Sequence, residues 1–310
     1  MFDRLLPICQ RFVVQSIGLS LLFNLLISPL LLPAEAAPVF FSSQVQVSFS
    51  EADNGDFKTK LKDLTEIIQL QPSGDAYSHR CLLQIELANY TQAQEDCTSA
   101  LNLEPNHYLA HLNLGLASYR LDDYLGAIAS YNQALKLKPY AATAYYNRGL
   151  AFAAQEKYLE AIKDYNQAIG QTTVPNVAQL ANIYNDRGIA YLSLGNLSAA
   201  IRDFDRAIHL HGTSSRSYYN RACACAQQKQ HHQAIRDFTK AVQLNPQEAW
   251  AYVNRGMMHY QLGHYKTALA DLRLGAECFY QQGEIDAYQE VQHLIAQLEQ
   301  NSADHGQILV

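Results

Sequence analysis

Any chemistry in this chain has to come from a short list of side chains. Six cysteines are present: Cys9, Cys81, Cys97, Cys223, Cys225 and Cys278. Cys223 and Cys225 stand two residues apart, which on a helix turns them to different sides, and they match no metal or redox motif. His209, His211, His231 and His232 cluster, but no carboxylate or thiol stands at ligand spacing from them, so they read as solvated turn histidines. There is no glycine-rich phosphate loop, no nucleophile elbow and no zinc-protease helix. The expectation is therefore no catalytic residue, no metal and no cofactor. Two other sets of polar residues recur in step. Arginine is followed sixteen positions later by aspartate in the pairs Arg80 and Asp96, Arg148 and Asp164, Arg187 and Asp203, Arg221 and Asp237, and Arg255 and Asp271. Immediately before each arginine, or before Leu114 where arginine is missing, stands His79, Asn113, Asn147, Asp186, Asn220 or Asn254. An amide can donate to a carbonyl and accept from an N–H, so such a row could read the main chain of a ligand without demanding a sequence.

The elements that must position these residues follow from a period. Alanines at 93, 127, 161, 200, 234 and 268 are spaced 34, 34, 39, 34 and 34 residues apart, the signature of a stacked repeat. With that alanine as the twentieth residue of a 34-residue unit, position 4 reads Tyr77, His111, Tyr145, Tyr184, Tyr218 and Tyr252. Position 8 is small, as Cys81, Gly115, Gly149, Gly188, Ala222 and Gly256. Position 24 reads Cys97, Tyr131, Tyr165, Phe204, Phe238 and Leu272, and position 27 is Ala100, Ala134, Ala168, Ala207, Ala241 and Gly275. Pro105, Pro139 and Pro246 close units. Positions 4, 8 and 11 lie one above another on a first helix, and 20, 24 and 27 do so on a second. Small residues at 8 and 20 are expected to let the two backbones approach closely, with the aromatic residues filling the space beside the contact. Arginine at position 7 and aspartate at 23 would then bridge the hairpin, each pair worth about 1 kcal/mol and acting mainly on register. The unit with Leu114 has Ser130 in place of aspartate.

The chain resembles the tetratricopeptide repeat family, in the variant whose first helix reads Tyr-x-Asn-Arg-Gly. The signature stands as Tyr145-Tyr146-Asn147-Arg148-Gly149, Tyr218-Tyr219-Asn220-Arg221-Ala222 and Tyr252-Val253-Asn254-Arg255-Gly256, with Tyr184-Asn185-Asp186-Arg187-Gly188 departing at one residue. The resemblance implies an all-α, right-handed superhelical solenoid of antiparallel helical hairpins with a C-terminal capping helix. It also implies a protein or peptide client, and it is similar to that of exported bacterial and cyanobacterial members. In superhelical members an asparagine at position 6 lines the concave face and forms a ladder to an extended peptide. That would assign the role to Asn113, Asn147, Asp186, Asn220 and Asn254, and the alternative that these residues hydrogen-bond only their own superhelix stays open. Neighbouring concave positions would be Leu116, Tyr119, Tyr146, Leu150, Tyr219, Trp250 and Tyr260. Lysines of the kind that clamp a C-terminal carboxylate are missing from this face, so a chaperone tail is not the expected ligand. Cys81 and Cys97, at positions 8 and 24, face each other; a disulfide there is geometrically possible, with small buried thiols the preferred reading.

The six units are 74–107, 108–141, 142–180, 181–214, 215–248 and 249–282. Residues 37–73 read as a linker and a degenerate half repeat, 283–300 as the capping helix and 301–310 as a tail. The extra five residues, at 170–176, predict a longer loop or an extended first helix in the fourth unit. Residues 1–36 read differently: Arg4 and Arg11 precede an apolar run from Phe12 to Leu32, which ends in Pro33-Ala34-Glu35-Ala36-Ala37. This is an export signal cleaved after Ala36, or a retained anchor that would be the only membrane contact, across a bacterial inner or thylakoid-type membrane. The balance of 48% apolar to 17% charged residues is that of a folded chain, and the net charge of −6 without a basic run argues against nucleic acid as a partner. The expected function is a protein-interaction scaffold or assembly factor. Self-association, or delivery of substrate to a separate enzyme, are the alternatives.

Overall fold

The computed structural model describes residues 54–172 and 177–304. The apolar run and its cleavage motif, and the first part of the stretch read as a linker and half repeat, lie outside them. Among the described residues there are fourteen helices and no strands: α1 (Asn54–Leu70), α2 (Gly74–Glu86), α3 (Tyr90–Leu103), α4 (Tyr108–Arg120), α5 (Tyr124–Leu137), α6 (Ala142–Ala154), α7 (Tyr158–Gln171), α8 (Val177–Ser193), α9 (Leu197–Leu210), α10 (Ser215–Gln227), α11 (His231–Leu244), α12 (Ala249–Gln261), α13 (Tyr265–Gln282) and α14 (Ile285–Asp304). They fall into two compact units divided between residues 175 and 176. The first holds α1 and the hairpins α2/α3, α4/α5 and α6/α7. The second holds α8/α9, α10/α11, α12/α13 and α14, and helices consecutive in the chain pack side by side within each. No described helix is long and apolar enough to cross a membrane.

One local device makes every hairpin. The residue at position 15 is left-handed throughout: Ala88, Asp122, Glu156 and Lys229 at φ of 59–61°, and Gly195 and Gly263 at 74° and 77°. This lets the N–H of position 16 return to the carbonyl of position 11, as in Asn89 to Gln84 at 2.8 Å and His264 to His259 at 2.9 Å. Position 16 is at once the end of that motif and the N-cap of the second helix. Where it is Asp123 or Asn196 its side chain accepts from the N–H three residues on. The connection is too short for anything but antiparallel packing. The extra residues between the third and fourth repeats leave α8 seventeen residues long, against thirteen for the other first helices.

The core differs from the sequence expectation in one respect. Position 8 is small chiefly because the position-24 ring sits on it: a Cβ added to Gly115, Gly149 or Gly188 would stand 2.6–2.7 Å from Cε1 of Tyr131, Tyr165 or Phe204. Only at Gly256 is a backbone atom the nearest obstacle, Ala268 O at 2.9 Å. The position-24 side chains are buried, whereas the position-4 tyrosines are half-buried beneath an arginine. Gly149→Val is therefore expected to cost about 1–3 kcal/mol, because the Tyr165 ring is enclosed and has nowhere to retreat. The urea midpoint by circular dichroism measures it, and an unchanged midpoint would show that the ring yields freely.

Candidate interaction face and its struts

The five arginines at position 7 each make the same set of contacts. Nε and Nη2 of Arg80, Arg148, Arg187, Arg221 and Arg255 donate to the two carboxylate oxygens of Asp96, Asp164, Asp203, Asp237 and Asp271, over 2.5–2.8 Å. The guanidinium also lies over the position-4 ring of its own helix, 5.3–5.7 Å from the centroid. A contact that sequence reasoning missed comes from Nη1, which reaches the second helix of the preceding repeat. Arg80 donates to Thr65, Arg148 to Asn132, Arg221 to Asp205 and Arg255 to Thr239, over 2.6–3.2 Å. The signal was present: a small polar acceptor stands sixteen residues before Arg148, Arg221 and Arg255, and fifteen before Arg80. One planar fork thus sets the pairing within a hairpin and the stacking of that hairpin on the one before it. The carboxylates hold the pKa values of Arg80, Arg187 and Arg221 above the ordinary range, most of all at Arg221, which has two acidic partners.

The position-6 residues lie along the first helices, and most of them are buried rather than beside the core. Asn113, Asn147, Asp186 and Asn254 are buried, Asn220 is half-buried and His79 is exposed. At Asn220 and Asn254, position 6 turns toward position 5 of the preceding repeat. Asn220 Nδ2 donates to Asn185 Oδ1 at 3.1 Å, and Asn254 Nδ2 to Tyr219 Oη at 3.1 Å. Burial pushes the Tyr219 hydroxyl pKa up, so it stays protonated and neutral as that acceptor. Asp186 receives Arg216 Nη2 at 2.7 Å across the same two helices. Part of the amide row is therefore internal strutting.

The apolar candidates divide likewise. Leu116, Tyr146 and Tyr219 are buried, while Tyr119, Leu150, Trp250 and Tyr260 are half-exposed. Each aromatic among them packs on a ring of its own hairpin: Tyr119 on Tyr124, Tyr146 on Tyr165, Tyr219 on Phe238, Trp250 on Phe279 and Tyr260 on Tyr265, with centroids 4.9–6.0 Å apart. Tyr146 and Tyr219 are thus core residues, while Tyr119, Trp250 and Tyr260 keep part of their surface exposed.

Of the histidines, His209, His211 and His232 are exposed and His231 faces the Met258 sulfur at 3.4 Å. Among the described residues no group of three or more His, Cys, Asp or Glu is placed to hold a metal. Cys225 and Cys278 are free and buried, and burial pushes the Cys225 thiol up to about 11, so it is no nucleophile at neutral pH. Cys81 and Cys97, expected as thiols, are joined in a disulfide: positions 8 and 24 put their Cα atoms 5.4 Å apart, within bonding reach.

Stacked hairpins clamped by buried ion pairs, with a face of amides and aromatic edges, define a helical-repeat protein of the protein-interaction class. Over residues 121–211 and 215–248 the repeats are tetratricopeptide repeats. Models described as tetratricopeptide repeat match residues 140–211 and 215–248, and one described as TPR repeat matches 121–156. Over 98 residues the chain is 32% identical to a protein SGT1 homolog of Oryza sativa subsp. japonica, covering 31% of this chain and 26% of that one. The chain thus spans about a quarter of the length of that curated relative. Among solved structures, Pseudomonas aeruginosa pilF superposes with a TM-score of 0.60 at 19% identity, over 71% of this chain and 96% of that one. YrrB, described as a TPR protein with an unusual peptide-binding site, gives 0.50 at 21% identity, over 59% and 91%. At these identities the structural likenesses speak to the fold alone.

Proposed function

We propose that this chain is an exported, non-enzymatic scaffold that holds an extended segment of a client protein along the face of its first helices. The observation that carries this reading is the amide of Asn220. Its Nδ2 is committed to Asn185, which fixes the amide plane and leaves Oδ1 on a half-buried side chain to accept a client N–H. Half-exposed Trp250 and Tyr260, on the next first helix of the same unit, supply rigid aromatic edges of the sort interfaces use as anchors. YrrB offers a precedent for peptide binding on such a scaffold, by description only. Export is supported by the Arg-flanked apolar run with its small-residue motif, and by a disulfide, which persists where the surroundings are oxidising. A second reading has its own support: Asn254, 1% exposed and bonded to Tyr219, acts as a strut.

The test compares wild type with Asn147→Ala/Asn220→Ala/Asn254→Ala in affinity capture from native membrane and soluble extracts. A photo-crosslinker at position 260 marks whatever lies on the face. Captured partners should crosslink there and fall at least tenfold in yield with the triple variant, with circular dichroism showing that it stays helical. Partners retained in full by the folded variant would leave the amide row purely structural.

A further inference from the structure

Five of the six hairpins are wedged in the same way. A large side chain at position 24, Tyr131, Tyr165, Phe204, Phe238 or Leu272, is buried against the small residue at position 8 of the facing helix. The hairpin α2/α3 has no such wedge. Its positions 8 and 24 are Cys81 and Cys97, both 0% exposed and covalently joined across sixteen residues of chain. Two cysteine side chains fill about the same space whether bonded or not, but they offer less apolar contact across the helices than a ring does, so the closure here comes from the covalent bond. Among the described residues its outer neighbour is the single helix α1, on which Ile67 and Leu70 are exposed.

We infer that the Cys81–Cys97 disulfide replaces the missing aromatic wedge, so that folding of the first hairpin is conditional on an oxidising compartment. The bond forms by exchange with an oxidised dithiol carrier or glutathione disulfide. One thiolate attacks and frees one carrier sulfur, leaving a mixed disulfide; the second thiolate displaces the other, and the two protons given up by Cys81 and Cys97 end on the carrier sulfurs, which leave as a dithiol or as two glutathione thiols. Once closed, the bond is sheltered, since a reductant reaches it only when the hairpin opens. It is a compartment-dependent staple rather than a rapid switch. The inference does not depend on client binding.

The test uses the full chain, unfolded and refolded with or without reductant, and follows amide hydrogen exchange over 74–103 and, as an internal control, over 142–171. A closed loop of this length is expected to raise protection in 74–103 by about 100-fold, and the reduced protein should lose that while the control segment keeps its own. Cys81→Gly/Cys97→Tyr restores the wedge used by the neighbouring repeats and should be protected in reductant as oxidised wild type is. Equal protection in the oxidised and reduced wild type would overturn the staple. Failure of the double variant to recover protection would overturn the substitution of bond for ring. Free thiols at both positions in protein taken from its own compartment would overturn the inference as a whole.

Discussion

Phe204→Ala is expected to destabilise the second unit by about 3–5 kcal/mol, the usual cost of deleting a fully buried ring that its surroundings cannot replace. The surroundings here are poor at replacing it. The ring is wholly buried on Gly188, which has no side chain to move into the gap, and its other close neighbours include Ala200 and Ala224. In a stacked-repeat protein each hairpin is held by its own packing and by its immediate neighbours, so the loss should stay local before it becomes global. Hydrogen exchange is expected to accelerate most in α8, α9 and α10, with a smaller change in α12 and α13. Phe204→Leu should cost about 1–2 kcal/mol, since Leu272 occupies the same position in the sixth repeat. Urea unfolding gives the totals. A loss below about 1 kcal/mol for the alanine variant would mean that the hairpin closes over the void and that the wedge is not what spaces these helices.

The second large effect is expected at the ion pairs. Asp203 is 2% exposed and accepts from Arg187 at 2.6 and 2.8 Å and from Arg206 at 3.0 Å. Asp203→Ala removes both carboxylate acceptors from the sheltered Arg187 guanidinium, at a cost of about 2–4 kcal/mol. That is somewhat below the figure for a fully buried pair, because Arg187 keeps contact with water and with the Tyr184 ring. Removing both charges should cost much less than removing one, since what is expensive is the unpaired group. The protein contains the precedent: Leu114 and Ser130 stand where the other repeats have arginine and aspartate, and that hairpin folds with the rest. Arg187→Leu/Asp203→Ser is therefore expected to recover at least half of the stability lost in Asp203→Ala. A double-mutant cycle by urea unfolding measures the coupling, and a coupling near zero would reduce the bridge to a surface ion pair.

Much of this architecture is legible in the chain itself, because burial has a period. Small residues at 8, 20 and 27 and large ones at 24 can only be one face of each of two helices, and the 34-residue recurrence requires the hairpins to stack. The sixteen-residue interval from arginine to aspartate is likewise visible, since both ends lie on elements whose facing the pattern already specifies. Interactions whose partner depends on how far apart packed helices come to rest are not visible in this way. The arginine Nη1 reaches back to Thr65, Asn132, Asp205 and Thr239 only because stacking brings the preceding second helix within 3.2 Å. The left-handed turn at position 15 is carried by Ala88, Asp122, Glu156 and Lys229 as readily as by glycine, so its residue types conceal it. For the same reason the position-6 amides, which chemistry alone leaves free to face a ligand or a neighbour, have their donors assigned by the closeness of Asn185 and Tyr219.

By itself, then, the sequence determined the helical hairpins, their number and their register, because these depend on which side chains must leave water, and hydrophobic burial is written in residue type and spacing. The tertiary structure alone decided which polar groups are spent as struts and that Cys81 and Cys97 are bonded. Hydrogen bonds and disulfides are short-range and directional, so a shift of 1 Å between helices, which no periodicity records, is enough to make or lose them.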